Sequence, residues 1–150
     1  MIKHIYAISV CSGNELAVRD ILNSIENVSA LVPTCLMYIR KGGTWKIHEK
    51  RILPGYVFVE CRLSPEIYYR VKKTVYVSGW IGGGEPIPLN EADERFVQLI
   101  YNEGKPIPVQ SFGSEMLKMT AIKSIDKRAR RVRVTIPLMG KIHTLTLGYE

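Results

Sequence analysis

Apolar residues recur along this chain in two rhythms, and the switches between them mark the elements. The first apolar run, residues 5–10, predicts a strand. Ser12-Gly13-Asn14-Glu15 then has the spacing of a capping box, in which Ser12 and Glu15 would satisfy each other's amides. Ala17, Val18, Ile21, Leu22 and Ile25 follow at helical spacing. Residues 31–39 are rich in strand formers, with Pro33 marking an edge or an entry. Lys41-Gly42-Gly43-Thr44 predicts a turn, and residues 45–48 alternate as a returning strand. Leu53-Pro54-Gly55 leads into the clearest strand, residues 56–61. Ser64 suits the cap of a second helix, with Pro65 at its first position, Glu66 beside it, and Lys72 and Lys73 at its end.

A short strand over residues 77–81 runs into Gly82-Gly83-Gly84. Asn90 is placed to cap a third helix, whose apolar stripe is Phe96, Val97, Ile100 and Tyr101 and whose stop is Asn102 and Gly104. Residues 105–111, with Pro106 and Pro108, read as a linker. Beyond them the helical period disappears. Strands are expected at 115–119, 121–125, 131–136 and 142–147, with turns at 126–130 and 137–140. The order β-α-β-β-β-α-β-α followed by strands alone predicts an α+β domain over 1–104, the linker over 105–111, and a small β-barrel over 112–150.

Charge sharpens this division. Of the net +7, residues 113–150 supply eight basic groups against three acidic ones, a surplus of +5. An acidic partner is therefore expected at the C-terminal part. The three cysteines, Cys11, Cys35 and Cys61, are far apart and form no C-x-x-C pair, so they are expected as small buried hydrophobes in a reducing compartment. No apolar run reaches the roughly 18 residues of a membrane span, and a cytoplasmic protein is expected. His4, His48 and His143 stand alone, no nucleophile elbow is present, and Glu85-Pro86 follows the glycine triplet where a phosphate loop would need a helix. No cofactor, metal or catalytic residue is expected.

Two surfaces carry the binding chemistry. In the strand 56–61, Val57, Val59 and Cys61 share one face and Tyr56, Phe58 and Glu60 the other. That second face is either an apolar binding patch or further core from which only Glu60 emerges. The second surface lies within 123–133, where Lys123, Lys127, Arg128, Arg130, Arg131 and Arg133 meet one acid, Asp126. Arg131 and Arg133 are two apart on a strand and project about 6.6 Å apart on one side. With the turn residues, and with Lys141 on the next strand, they would form a cationic strip suited to a phosphate backbone. No aromatic is interleaved with this run, so duplex or hairpin RNA is expected rather than stacked single strands.

Taken in series, Ile5-Tyr6-Ala7, Ser12-Gly13-x-Glu15, Val32-Pro33-Thr34, Leu53-Pro54-Gly55-Tyr56-Val57-Phe58-Val59, Gly79-Trp80-Ile81-Gly82-Gly83 and Pro86-Ile87-Pro88-Leu89 resemble the NusG N-terminal domain over about residues 3–101. Residues 113–150 resemble the family's KOW barrel, with Ile125-Asp126 and Leu138-Met139-Gly140-Lys141 at matching places. The resemblance implies a ferredoxin-like antiparallel sheet with flanking helices, followed by a KOW-type SH3-like barrel. It implies a monomeric, non-enzymatic elongation factor whose N-terminal domain binds the clamp helices of RNA polymerase through Ile5, Tyr6, Leu53 and Tyr56, with Tyr56 facing outward. Two departures favour a specialised paralog resembling the LoaP antiterminators, whose basic barrel would engage a hairpin in a nascent leader RNA, with non-template DNA as a further anionic strand. Met139 stands where general NusG barrels carry Phe, and Met119 runs directly into Thr120 where KOW sequences carry a Gly-Pro loop. The competing expectation is a housekeeping NusG whose barrel binds a termination factor or a ribosomal protein.

Overall fold

In the computed structural model, which describes residues 3–150, the first strand is β1 (His4–Val10). It lies inside a four-stranded sheet with β2 (Ser29–Leu31), β5 (Tyr56–Cys61) and β6 (Val77–Trp80), in the order β2-β5-β1-β6 and antiparallel throughout. Register assigns every side chain a face: Tyr6 stands opposite Val59 and Ile8 opposite Val57. These residues pack with Val18 and Leu22 of helix α1 (Glu15–Asn23) and Val71 of helix α2 (Pro65–Lys72) in one core. Fully burying an aliphatic side chain contributes about 1.5–3 kcal/mol, so this layer accounts for much of the unit's stability. Beyond β6 the chain continues along the free edge of β1, with Ile81 N donating to Ala7 O at 2.9 Å and Leu89 N to Ile5 O at 2.8 Å.

The expected capping box is replaced by a longer-range contact. Asn14 occupies the cap position without a side-chain bond, and Glu15 is fully buried. One carboxylate oxygen of Glu15 accepts from Gly13 N at 2.8 Å and the other from Gly55 N at 2.7 Å. The two turns that launch α1 and β5 are thus joined through one side chain. The other two caps form as expected: Ser64 Oγ accepts from Ile67 N at 3.2 Å, and Asn90 Oδ1 accepts from Asp93 N at 2.8 Å at the start of α3 (Glu91–Tyr101). A left-handed run at Asn102, Glu103 and Gly104 ends α3.

Two compact units divide the chain, and they do not follow chain order. Of the described residues, one holds 3–32 and 53–97, the other 33–52 and 98–150. In the second, β3 (Thr34–Lys41) and β4 (Thr44–Arg51) form a hairpin closed by Gly42 and Gly43, both at positive φ as a two-residue turn requires. A three-stranded sheet of β7 (Ala121–Asp126), β8 (Arg131–Leu138) and β9 (Lys141–Gly148) completes it. The segment 105–111 is fastened to both: Ile107 exchanges backbone bonds with Thr34 and Leu36 at 2.8 Å, and Gln110 N donates to Gly148 O at 2.7 Å. The strand expected over 115–119 is instead a helical turn, α4 (Glu115–Lys118). Met116 and Leu117 are consecutive and both buried, which a helical turn under one cover permits and a half-exposed strand does not.

Cys35 and Cys61 are buried, whereas Cys11 is exposed and departs from the expectation of three interior thiols. Burial pushes both interior thiols up to about 11. Since the thiolate is the nucleophile, native protein at neutral pH should react with a thiol reagent at Cys11 alone, and all three cysteines should react in denaturant.

Gly148 lies against the backbone of β3, where an added Cβ would collide with Leu36 O and stand 3.0 Å from Met37 Cα. Because backbone cannot swing aside, Gly148→Ala is expected to cost at least about 2 kcal/mol. Urea unfolding should show it, and an unchanged midpoint would refute the contact.

Candidate functional site

The cationic residues are presented by the β7–β8 hairpin. Its turn is fixed by Asp126, whose Oδ1 accepts from Ala129 N at 2.9 Å. Lys127 and Arg128 project from the tip, exposed. In β8, Val132 and Val134 are fully buried, and alternation therefore sends Arg131 and Arg133 outward. In the strand register Arg131 lies opposite Asp126 and Arg133 opposite Ser124, while Lys123 falls at the bulge of β7 and is exposed. Together the turn and the two arginines line an open groove of about 670 Å³. Among the described residues, Lys127, Arg128, Arg131 and Arg133 have no carboxylate within ion-pair distance. An anionic partner would gain charge-assisted hydrogen bonds there without displacing an internal one.

Two residues of the expected strip lie elsewhere. Lys141 pairs with Leu138 and so shares the face of Val132 and Val134, opposite to Arg131 and Arg133. It also stands at the far end of β8, seven residues or about 23 Å from Arg131. Arg130 leaves the strip through a left-handed backbone, φ 57°. Its guanidinium lies 4.8 Å from the ring centroid of Tyr38 and 4.7 Å from that of Trp45, both on the β3–β4 hairpin. The aromatics that the sequence shows no sign of beside this charge run are thus brought in from some ninety residues upstream. The Gly-Gly turn fixes the pairing of Arg40 with Trp45 and of Tyr38 with Ile47, which puts Tyr38, Arg40 and Trp45 on one face. That much is readable in advance. Nothing local in the sequence announces their meeting with Arg130.

The apolar candidates do not form one exposed patch. Ile5 and Tyr6 are neighbours on β1 and must face opposite sides of the sheet. Tyr6 turns to the helices and meets Trp80 edge to face at 5.8 Å; its hydroxyl is pushed above its ordinary value by burial and then by Cys61. Ile5 is on the other face with Phe58, and both are fully buried, so this second face is not open. Leu53 is buried in the turn before β5. Tyr56, opposite Ser9 at the start of β5, is half-buried, and of the four candidates it alone reaches solvent.

An α+β layer built on β2-β5-β1-β6, followed by a small all-strand sheet, is the class this architecture defines. The family profile described as "Transcription termination factor nusG" matches residues 3–98. The chain belongs to the NusG family. The transcription termination/antitermination protein NusG of Helicobacter pylori strain J99 is 24% identical over 97% of this chain and 94% of its own length. The Campylobacter jejuni protein is 32% identical over 71% of this chain and 66% of its length. The same fold occurs in a solved structure described as domain interaction in Thermotoga maritima NusG, with TM-score 0.63, 22% identity, and coverage of 99% of this chain and 94% of that one. The chain is accordingly a NusG-like transcription termination/antitermination factor, of a family that acts with RNA polymerase. No helix among the described residues is long and apolar enough to cross a membrane.

Removing the Arg130 guanidinium deprives two rings of one cation. Arg130→Ala is expected to lower stability by about 1 kcal/mol in urea unfolding, whereas Arg128→Ala, at the exposed tip, should be neutral.

Proposed function

We propose that this protein is a specialised antitermination factor that rides on RNA polymerase through its N-terminal domain and grips structured RNA through the β7–β8 hairpin. The observation that carries the RNA half is the set of cations at Lys127, Arg128, Arg131 and Arg133, which share one hairpin and, among the described residues, pair with no carboxylate. Lys123 at the bulge adds a fifth. Such an array makes no internal ion pair among the described residues. It suits a phosphate backbone, where each neutralised phosphate releases bound counterions. The groove is rimmed by Lys127, Arg128, Arg131 and Arg133. The RNA hairpin of a nascent leader is the target favoured, and the resemblance to LoaP antiterminators points the same way.

The polymerase half rests on family membership and on Tyr56. Ile5, Tyr6 and Leu53 are structural in this conformation, and truncating them would disturb the sheet before any partner was reached. Tyr56 is the residue that can be altered at the surface. Tyr56→Ala is expected to weaken binding to RNA polymerase while leaving the protein folded. Equal affinity of variant and wild type would remove Tyr56 from the interface.

RNA binding is expected to be steeply salt-dependent. If about four phosphates are neutralised, log K should fall against log salt with a slope of about −3 to −4. The double reversal Arg131→Glu and Arg133→Glu should abolish most of this affinity without unfolding the protein. A flat salt profile, with binding to a ribosomal protein or termination factor instead, would select a housekeeping NusG.

A further inference from the structure

The positive surface does not end at the β7–β8 turn. Tyr38 and Trp45 are diagonal neighbours on the β3–β4 hairpin, with ring centroids 6.5 Å apart and planes at 86°. They therefore do not stack on each other. Arg130 closes over both, and Arg40 stands 5.9 Å from the Trp45 ring. Both rings are only half-buried, and Arg40, Lys41 and Lys46 beside them are exposed. Across residues 34–51 a single acid, Glu49, meets five basic residues. One step along the chain from Arg130 is Arg131, the first residue of the outward strip.

We propose that Trp45, with Tyr38, Arg40 and Arg130, forms a stacking site for an unpaired RNA base beside the phosphate-binding strip. This rests on the RNA reading given above and names a feature of the RNA: a loop or bulge next to a duplex stem. A half-exposed indole with Arg130 over its ring would take a nucleobase on the face that the guanidinium leaves to solvent, while the flanking phosphates meet Arg40 and Lys41. Stacking of this kind is tolerant of sequence, because every base offers a π-face. An acidic peptide would use the charges and leave the rings idle. A base in an intact duplex could not reach them, since its faces are already covered by its neighbours.

The test compares a hairpin RNA carrying an unpaired loop with a blunt duplex of the same stem, each titrated with the full chain by fluorescence anisotropy at one salt concentration. The hairpin is expected to bind about tenfold more tightly than the duplex. Trp45→Ala should remove that preference and leave duplex affinity unchanged, and Trp45→Phe should keep most of it. Trp45→Leu, which retains apolar bulk without an aromatic face, should behave as Trp45→Ala and serves if the smaller side chain unsettles the hairpin. Equal affinity of the wild type for hairpin and duplex would overturn the proposal, as would a loop preference that survives Trp45→Leu. Tighter binding to a DNA hairpin of the same sequence would overturn the assignment to RNA. Failure of the wild type to bind either RNA would overturn the phosphate strip itself, an outcome distinct from loss of the loop preference alone.

Discussion

The candidate nucleic-acid surface depends on one close approach, that of Gly148 to the backbone of β3. No side chain larger than hydrogen fits between β9 and Leu36-Met37. Gly148 also pairs across the sheet with Arg131, and the next residue, Tyr149, donates its amide to Arg130 O at 2.9 Å. The glycine that admits β3 therefore sits beside the residues that aim Arg130. With β3 held this closely, the guanidinium falls within 5 Å of two rings belonging to a distant part of the chain. A methyl group at position 148 would disturb this meeting as well as the packing.

A comparable clasp organises the other unit. Glu15 is a buried carboxylate, and a buried charge is tolerated only where its oxygens are satisfied. Here they are, by the amides of Gly13 and Gly55. The hydrogen bond to Gly55 sets where β5 begins, and hence that Tyr56 lies at the start of the strand, opposite Ser9, while Phe58 lies inside. The accessibility of Tyr56 is in this sense a consequence of a bond made by its neighbour.

Much of this was legible in the residues, and the exceptions share a cause. Ser64 and Asn90 were readable as caps because a capping bond spans three residues and its partner is the backbone. Glu15 satisfies the same spacing, yet its carboxylate turned instead to amides at Gly13 and, forty residues away, Gly55. Alternation placed Val57, Val59 and Cys61 on one face, and it also placed Tyr56 and Phe58 together on the other; whether that other face was covered is a tertiary fact that no local period contains. Ile5 and Tyr6 illustrate the reverse case. A motif read as one patch contained two adjacent strand residues, and the pleat alone forbids them a common face. At α4 the apolar pair Met116-Leu117 was compatible with a buried strand or a helical turn, and a segment this short cannot decide between them by period.

Counting basic residues overstates what a phosphate can meet, and geometry corrects the count. Seven cations were candidates for the strip. Lys141 belongs to the other face of β8, and Arg130 is turned onto aromatic rings. A guanidinium stacked on a ring still carries its charge and its edge donors, but its faces are committed and its position is fixed. It can no longer follow a backbone as an exposed lysine can. Arg130 therefore offers its edge donors from one fixed place, while Lys127, Arg128, Arg131 and Arg133 retain the freedom that phosphate contacts along a strand require. The division of labour follows from a single left-handed residue at position 130, which turns one arginine inward between two that remain in water at positions 128 and 131.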